Sequence, residues 1–252
     1  MKWIILVRIP LLIIFFMGSN KAFSQNFIND TSRETASFQE AVNLYHQFLS
    51  PETGLYDGSE YPYSIFYPVT INEGHPFFES KDFVTGAVFY NNILYKNVPL
   101  LYDIIQDELL INDPSMIYIL RLNNERIGWF TVWGQTFIRL TADNATNPQF
   151  QTGFYNLLYN GKTSLYKRVS KIIKENSASA QGINKYVVEL NTYFIKKDNQ
   201  YYEVKNKKSL IAILNNKKKE IIQFIKKNKL NLRKNKNDAL IKIVPFYDGI
   251  YQ

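Results

Sequence analysis

Gly86-Ala87-Val88-Phe89-Tyr90-Asn91-Asn92-Ile93-Leu94-Tyr95 is the stretch that decides the fold. Two runs of branched and aromatic residues flank an Asn-Asn pair. Asparagine tolerates positive φ, which a type I′ turn requires at both central positions, so the pair predicts a two-residue β-hairpin. That turn sets the register: Tyr90 opposite Ile93 and Val88 opposite Tyr95 on one face, Phe89 and Leu94 on the other. Working outward, Tyr56-Asp57-Gly58 and Tyr159-Asn160-Gly161 carry the same turn signal. Asp198-Asn199 predicts a further hairpin, joining Tyr193–Lys197 to Gln200–Val204. Strands are also expected at Leu100–Ile105, Leu109–Ile111, Ile117–Leu122, Arg126–Trp133, Thr136–Leu140, Phe154–Leu158 and Tyr186–Asn191. Pro99, which has no N–H to give a sheet, marks an edge or a bulge.

Helical spacing appears at the two ends. Phe38, Val42, Tyr45 and Leu49 recur every three or four residues, which predicts an amphipathic helix over Thr31–Leu49 stopped by Pro51. Near the other end Ser209 is placed to cap a helix that Asn215-Asn216 breaks. A second helix follows over Lys217–Lys227, with Ile221, Phe224 and Ile225 inward. Asn237 is placed to cap a last helix, in which Pro245 leaves the Ile241 carbonyl unbonded. The expected fold class is therefore α+β: an N-terminal helix, an antiparallel β-meander in one curved sheet or two packed sheets, and C-terminal helices. The Ser- and Ala-rich Glu175–Gly182 reads as a linker between a helix-plus-strand region, 25–174, and a β-hairpin plus lysine-rich helical region, 183–252.

Lys2 and Arg8 frame a short apolar run from Ile4 to Met17, and Ala22 and Ser24 precede Gln25. That order reads as a secretory signal peptide, residues 1–24, rather than a membrane anchor, and no transmembrane span is expected after its removal. The chain has no cysteine. Disulfide scaffolds, thiol catalysis and thiolate metal sites are thereby excluded, and a bacterial periplasm, outer-membrane surface or extracellular location is expected. The charge is divided. Residues 25–159 hold 6 basic against 15 acidic side chains, and residues 160–252 hold 21 against 7.

Gly74-His75-Pro76-Phe77-Phe78, Gly86–Tyr90 and Val98-Pro99-Leu100-Leu101-Tyr102-Asp103 resemble exported proteins of the Bacteroidota. The tail from Tyr201-Tyr202 through Lys207-Lys208-Ser209-Leu210 to Phe224-Ile225-Lys226-Lys227-Asn228 resembles them as well. The resemblance implies a cell-envelope protein and brings no activity or catalytic residue with it.

Chemistry-bearing constellations are sparse. The two histidines, His46 and His75, are far apart in sequence, so no metal site is expected. No Gly-x-Ser-x-Gly elbow or phosphate-cradling glycine loop occurs. Asp57, Glu60 and Glu73 lie in a tyrosine-rich segment close to His75. Two such carboxylates could flank a glycosidic bond as acid and base, or the three could be turn and surface residues. Trp129 and Trp133, four apart in an expected strand, would project from one face ~13 Å apart as a sugar-stacking platform, unless that strand is buried. Lys217, Lys218 and Lys219, then Lys226, Lys227, Lys229, Arg233, Lys234 and Lys236, are candidates for binding a polyanion. Their mainly lysine chemistry and the export signal point away from nucleic acid, and toward anionic lipid or surface glycan. A docking face for the acidic half of the chain is equally economical. These readings converge on an exported envelope protein acting without catalysis, in binding or assembly through a β-rich surface. The alternatives are a glycan-acting hydrolase using paired carboxylates and a carrier of lipid or another apolar ligand. Partners could be glycan, lipid or protein, and no cofactor is expected.

Overall fold

The computed structural model describes residues 54–67, 71–142, 150–179 and 182–251. The expected signal peptide, the expected Thr31–Leu49 helix and His46 lie outside the described residues. In chain order the elements are β1 (Ser59–Glu60), α1 (Tyr63–Phe66), β2 (Val84–Tyr90), β3 (Ile93–Asp103), β4 (Glu108–Asn112) and β5 (Ile119–Arg121). Next come β6 (Ile127–Val132), β7 (Gln135–Leu140), β8 (Gly153–Tyr159), β9 (Ser164–Ser179), β10 (Gly182–Lys197) and β11 (Gln200–Glu203). Three helices follow: α2 (Lys207–Ile213), α3 (Lys218–Lys227) and α4 (Lys236–Ile250). All eleven strands join one antiparallel sheet in the order β1-β5-β4-β3-β2-β6-β7-β8-β9-β10-β11. The α+β expectation holds, with one curled sheet.

Local chemistry accounts for the tight turns. Asn91 and Asn92 both take positive φ (50° and 62°), and the register behind them pairs Tyr90 with Ile93 and Val88 with Tyr95. Asp198 and Asn199 repeat that geometry between β10 and β11. Pro99 follows a bulge: Val98 pairs with Gly86 and Lys96 with Ala87, so Asn97 is the extra residue, at a φ of 58°.

Two expected turns differ. Asp57-Gly58 makes no hairpin, and the chain runs on into β1. After Tyr159 the connection to β9 has four residues, Asn160 to Thr163. Asp248 in α4 accepts the Thr163 N–H at 3.0 Å and so holds this loop to the helix. Glu175–Gly182 is no linker: Glu175 to Ser179 continue β9, and Gly182 begins β10. Composition misleads here because ladder hydrogen bonds, not side-chain bulk, hold a hairpin end together.

The sheet curls strongly. β3 and β8 are four places apart in strand order, on the order of 19 Å in a flat sheet. Yet the Tyr102 ring of β3 lies 6.1 Å from the Phe154 ring of β8, and 5.0 Å and 5.1 Å from Phe130 and Phe137. Bulges at Asn97, Gly128 and Leu158 supply the bend, since an extra residue on one strand raises the local twist. Val88, Leu100, Leu109, Ile111 and Val169 fill the concave interior with these rings. Burying one such aromatic side chain is worth roughly 1.5–3 kcal/mol, so this ring cluster is a main source of stability.

Past β8 a second core forms. Leu165, Tyr193 and Ile195 on the strands meet Leu210, Leu214, Ile221, Ile225, Leu240, Ile243, Val244 and Tyr247 of the helical layer. In α3 the buried residues Ile221 and Ile225 are four apart, which leaves its lysines facing outward. Pro245 sits inside α4, and Ile241, whose carbonyl it leaves free, is on the exposed side of the helix.

Candidate functional site: a cationic groove among the C-terminal helices

The chain reversals around the helices are set by caps. Asn206 caps α2 by accepting the N–H of Lys208 (2.8 Å) and Ser209 (3.1 Å), while Ser209 Oγ accepts the Asn206 N–H at 3.0 Å. Ser209, expected to be the cap, is therefore the third helical residue of a capping box. Asn235, not Asn237, occupies the cap position of α4. Asn231 turns the chain before it, accepting the N–H of Arg233 and Lys234 at 3.0 Å and 3.1 Å. α3 ends in a Schellman motif, with Leu230 N–H bonded to the Ile225 carbonyl and Lys229 at a φ of 54°.

These reversals bring the starts of α2, α3 and α4 around one groove of about 1020 Å³. Its rim carries Lys205, Lys207, Lys208, Lys218, Arg233 and Lys236, and no aspartate or glutamate lines it. Ile211, Leu230 and Leu232 form an aliphatic floor, with no aromatic ring among the described lining residues. Two of the cations are already engaged. Lys236 donates to the Lys205 carbonyl at 2.9 Å and lies over the Tyr193 ring, and Lys205 meets Glu203 at 3.6 Å. Among the described residues, Lys207, Lys208, Lys218 and Arg233 form no ion pair. Like charges gathered without a counter-charge raise one another's energy, and an anion relieves this.

Of the expected polyanion candidates, Lys218, Arg233 and Lys236 line this groove, and Lys234 lines the compartment beside it. Lys217, Lys219, Lys226, Lys227 and Lys229 line neither. Sequence reading missed Lys205, Lys207 and Lys208. The Lys-Asn-Lys-Lys run ahead of Ser209 was the available signal, because a capping box fixes where such a run points.

Two of the three carboxylate candidates have separate partners. Asp57 accepts the Tyr90 hydroxyl at 2.6 Å and pairs with Arg126. Burial first, and then that carboxylate, push the Tyr90 phenol up to about 12. Glu60 is an exposed residue of β1 opposite Leu120. Glu73 bridges to Tyr186 on β10 and accepts from Asn184 at 2.9 Å. His75 stacks on Phe77, and burial together with nearby Lys171 and Lys81 holds its imidazole below the ordinary histidine range. Asp57 and Glu73 are each held by other groups, and none of the three acids is hydrogen-bonded to His75. The tryptophans do not share a strand face either. Trp129 stacks on Phe89 at 6.2 Å, whereas Trp133 leaves β6 and makes the turn with Gly134 at a φ of 51°. A turn residue escapes strand alternation, so no two-indole platform forms. Among the described residues no three His, Asp or Glu side chains gather as a metal would need.

No described helix is long and apolar enough to cross a membrane. Compared with protein families, curated proteins and solved structures, the chain matches none.

Proposed function

We propose that this is an exported envelope protein that works by binding rather than catalysis, and that its ligand is an anionic amphiphile held in the C-terminal groove. One observation carries the reading: a groove of about 1020 Å³ rimmed by six cations, lined by no carboxylate and floored by aliphatic side chains. The cations suit a phosphate-type group, and Ile211, Leu230 and Leu232 suit the hydrocarbon next to it. An acidic glycan fits less well, because sugar rings favour aromatic stacking and the groove offers none. A purely apolar cargo would leave the cations unanswered. The hydrolase alternative has less support, since Asp57 and Glu73 are engaged by separate partners and none of the three acids is hydrogen-bonded to His75. The signal-peptide pattern of residues 1–24 supports the envelope location.

Sedimentation with phosphatidylcholine vesicles, with and without phosphatidylglycerol, tests the proposal. Binding should require the anionic lipid, weaken steeply with salt and fall at least about tenfold in Lys218→Ala/Arg233→Ala. Equal binding to uncharged vesicles, or full affinity in the double variant, would overturn it.

A further inference from the structure

The groove does not end at its own rim. Leu232, Arg233 and Lys236 also wall an adjoining compartment of about 430 Å³. The lining changes across that wall. Beyond it the lining is Asn191, Lys234, Asn235, Asn237 and Asp238, with the Tyr193 ring lying under Lys236. Asn237 Oδ1 is buried and accepts no hydrogen bond from any described group. That oxygen is closed to solvent, so the amides open to a ligand there are those of the exposed Asn191 and Asn235.

The charges limit what can enter. Arg233, Lys234 and Lys236 outnumber Asp238 three to one, which disfavours an ammonium-bearing head group. Asp238 and the exposed amides of Asn191 and Asn235 offer lone pairs, which disfavours a second phosphate. Amides and ammonium groups that donate, beside oxygens that accept, match the hydroxyl group, which does both.

Resting on the anionic-amphiphile reading above, we infer that the ligand's head group is an uncharged polyol. Its phosphate lies between Arg233 and Lys236, its hydroxyls fill the compartment of Asn191, Asn235 and Asp238, and its hydrocarbon follows the floor of Ile211 and Leu230. The chemical class is a hydroxylated phospholipid with a single negative charge.

The deciding comparison uses two lipids of equal charge in phosphatidylcholine vesicles at equal mole fraction. Phosphatidylglycerol carries two head-group hydroxyls and phosphatidylmethanol carries none. The full mature chain should prefer phosphatidylglycerol by about tenfold. Asn235→Ala, and separately Asn191→Ala on the exposed strand face opposite, should erase the preference while binding to both lipids persists. Soluble glycerol phosphate, which cannot occupy the floor, should bind at least tenfold more weakly than the vesicles. Equal binding to both lipids overturns the polyol inference and leaves the anionic groove standing. A preference that survives in both variants also overturns it. Binding to neither lipid overturns the underlying reading, and glycerol phosphate binding as tightly as vesicles removes the role of the hydrocarbon.

Discussion

Tyr102 and Asp107 face each other across the β3–β4 turn, joined by a 2.5 Å hydrogen bond from the phenol to the carboxylate. Tyr102 is wholly enclosed by the ring cluster. Burial raises the Asp107 carboxyl above the ordinary aspartate range, against the pull of Tyr102 and Arg168. Arg168 reaches Asp107 at 3.4 Å and lies over the Tyr155 ring at 5.3 Å. The β3–β4 turn, β8 and β9 thus meet at one polar knot where the curl draws the sheet together. Tyr102→Phe, which orphans one buried oxygen, should cost about 1–2 kcal/mol, and Arg168→Met, which leaves a largely buried carboxylate unpaired, about 3 kcal/mol. Urea unfolding checks both, and equal midpoints for the two variants would contradict the pairing.

Alkaline pH should unfold the protein through its tyrosines. Tyr61 and Tyr67 both donate to the buried carboxylate of Asp103, and burial first, then that carboxylate, raises both phenols far above 10.0. A raised folded value means that the fold favours the protonated form. The stability from these phenols is present in full below pH 10, where the unfolded chain also keeps its protons, and falls as pH rises beyond it. Unfolding midpoints followed from pH 8 to 12 should drop above ~10, and the drop should be shallower in Tyr67→Phe.

Lys229 occupies the left-handed position of the Schellman motif that ends α3. Glycine adopts that conformation without strain, so Lys229→Gly should stabilise the protein by about 0.5–1 kcal/mol. Thermal unfolding measures this. Binding to anionic vesicles should be unaltered, because Lys229 does not line the groove.

Gly86 permits the closest approach between β2 and β6. A Cβ there would fall 2.0 Å from the Thr131 carbonyl oxygen, an atom fixed in the neighbouring strand. Gly86→Ala should therefore push the two strands apart and cost more than about 2 kcal/mol. Hydrogen exchange at Ala87, whose N–H donates to Thr131 Oγ1, should accelerate with it.

Local physics left its mark on the chain in many places. The left-handed tolerance of Asn91-Asn92 and Asp198-Asn199 settled two turns and the registers behind them, because a two-residue hairpin leaves a strand pair little freedom. The spacing of Ile221 and Ile225 settled which side of α3 faces inward. Trp133, Asn237 and the Glu175–Gly182 stretch went differently, since turn geometry, cap position and strand pairing depend on neighbours that composition does not name. The curl that carries Tyr102 to Phe154, and the groove that gathers Lys205, Lys218 and Arg233 from three helix starts, exist only in the folded molecule. Both arise from contacts between segments distant in sequence. Bulges set the bend and caps aim the cations, so residue order alone determined the Asn91-Asn92 and Asp198-Asn199 turns and the inward side of α3, and packing decided the long β9–β10 pair, the curl and the place where the cationic groove forms.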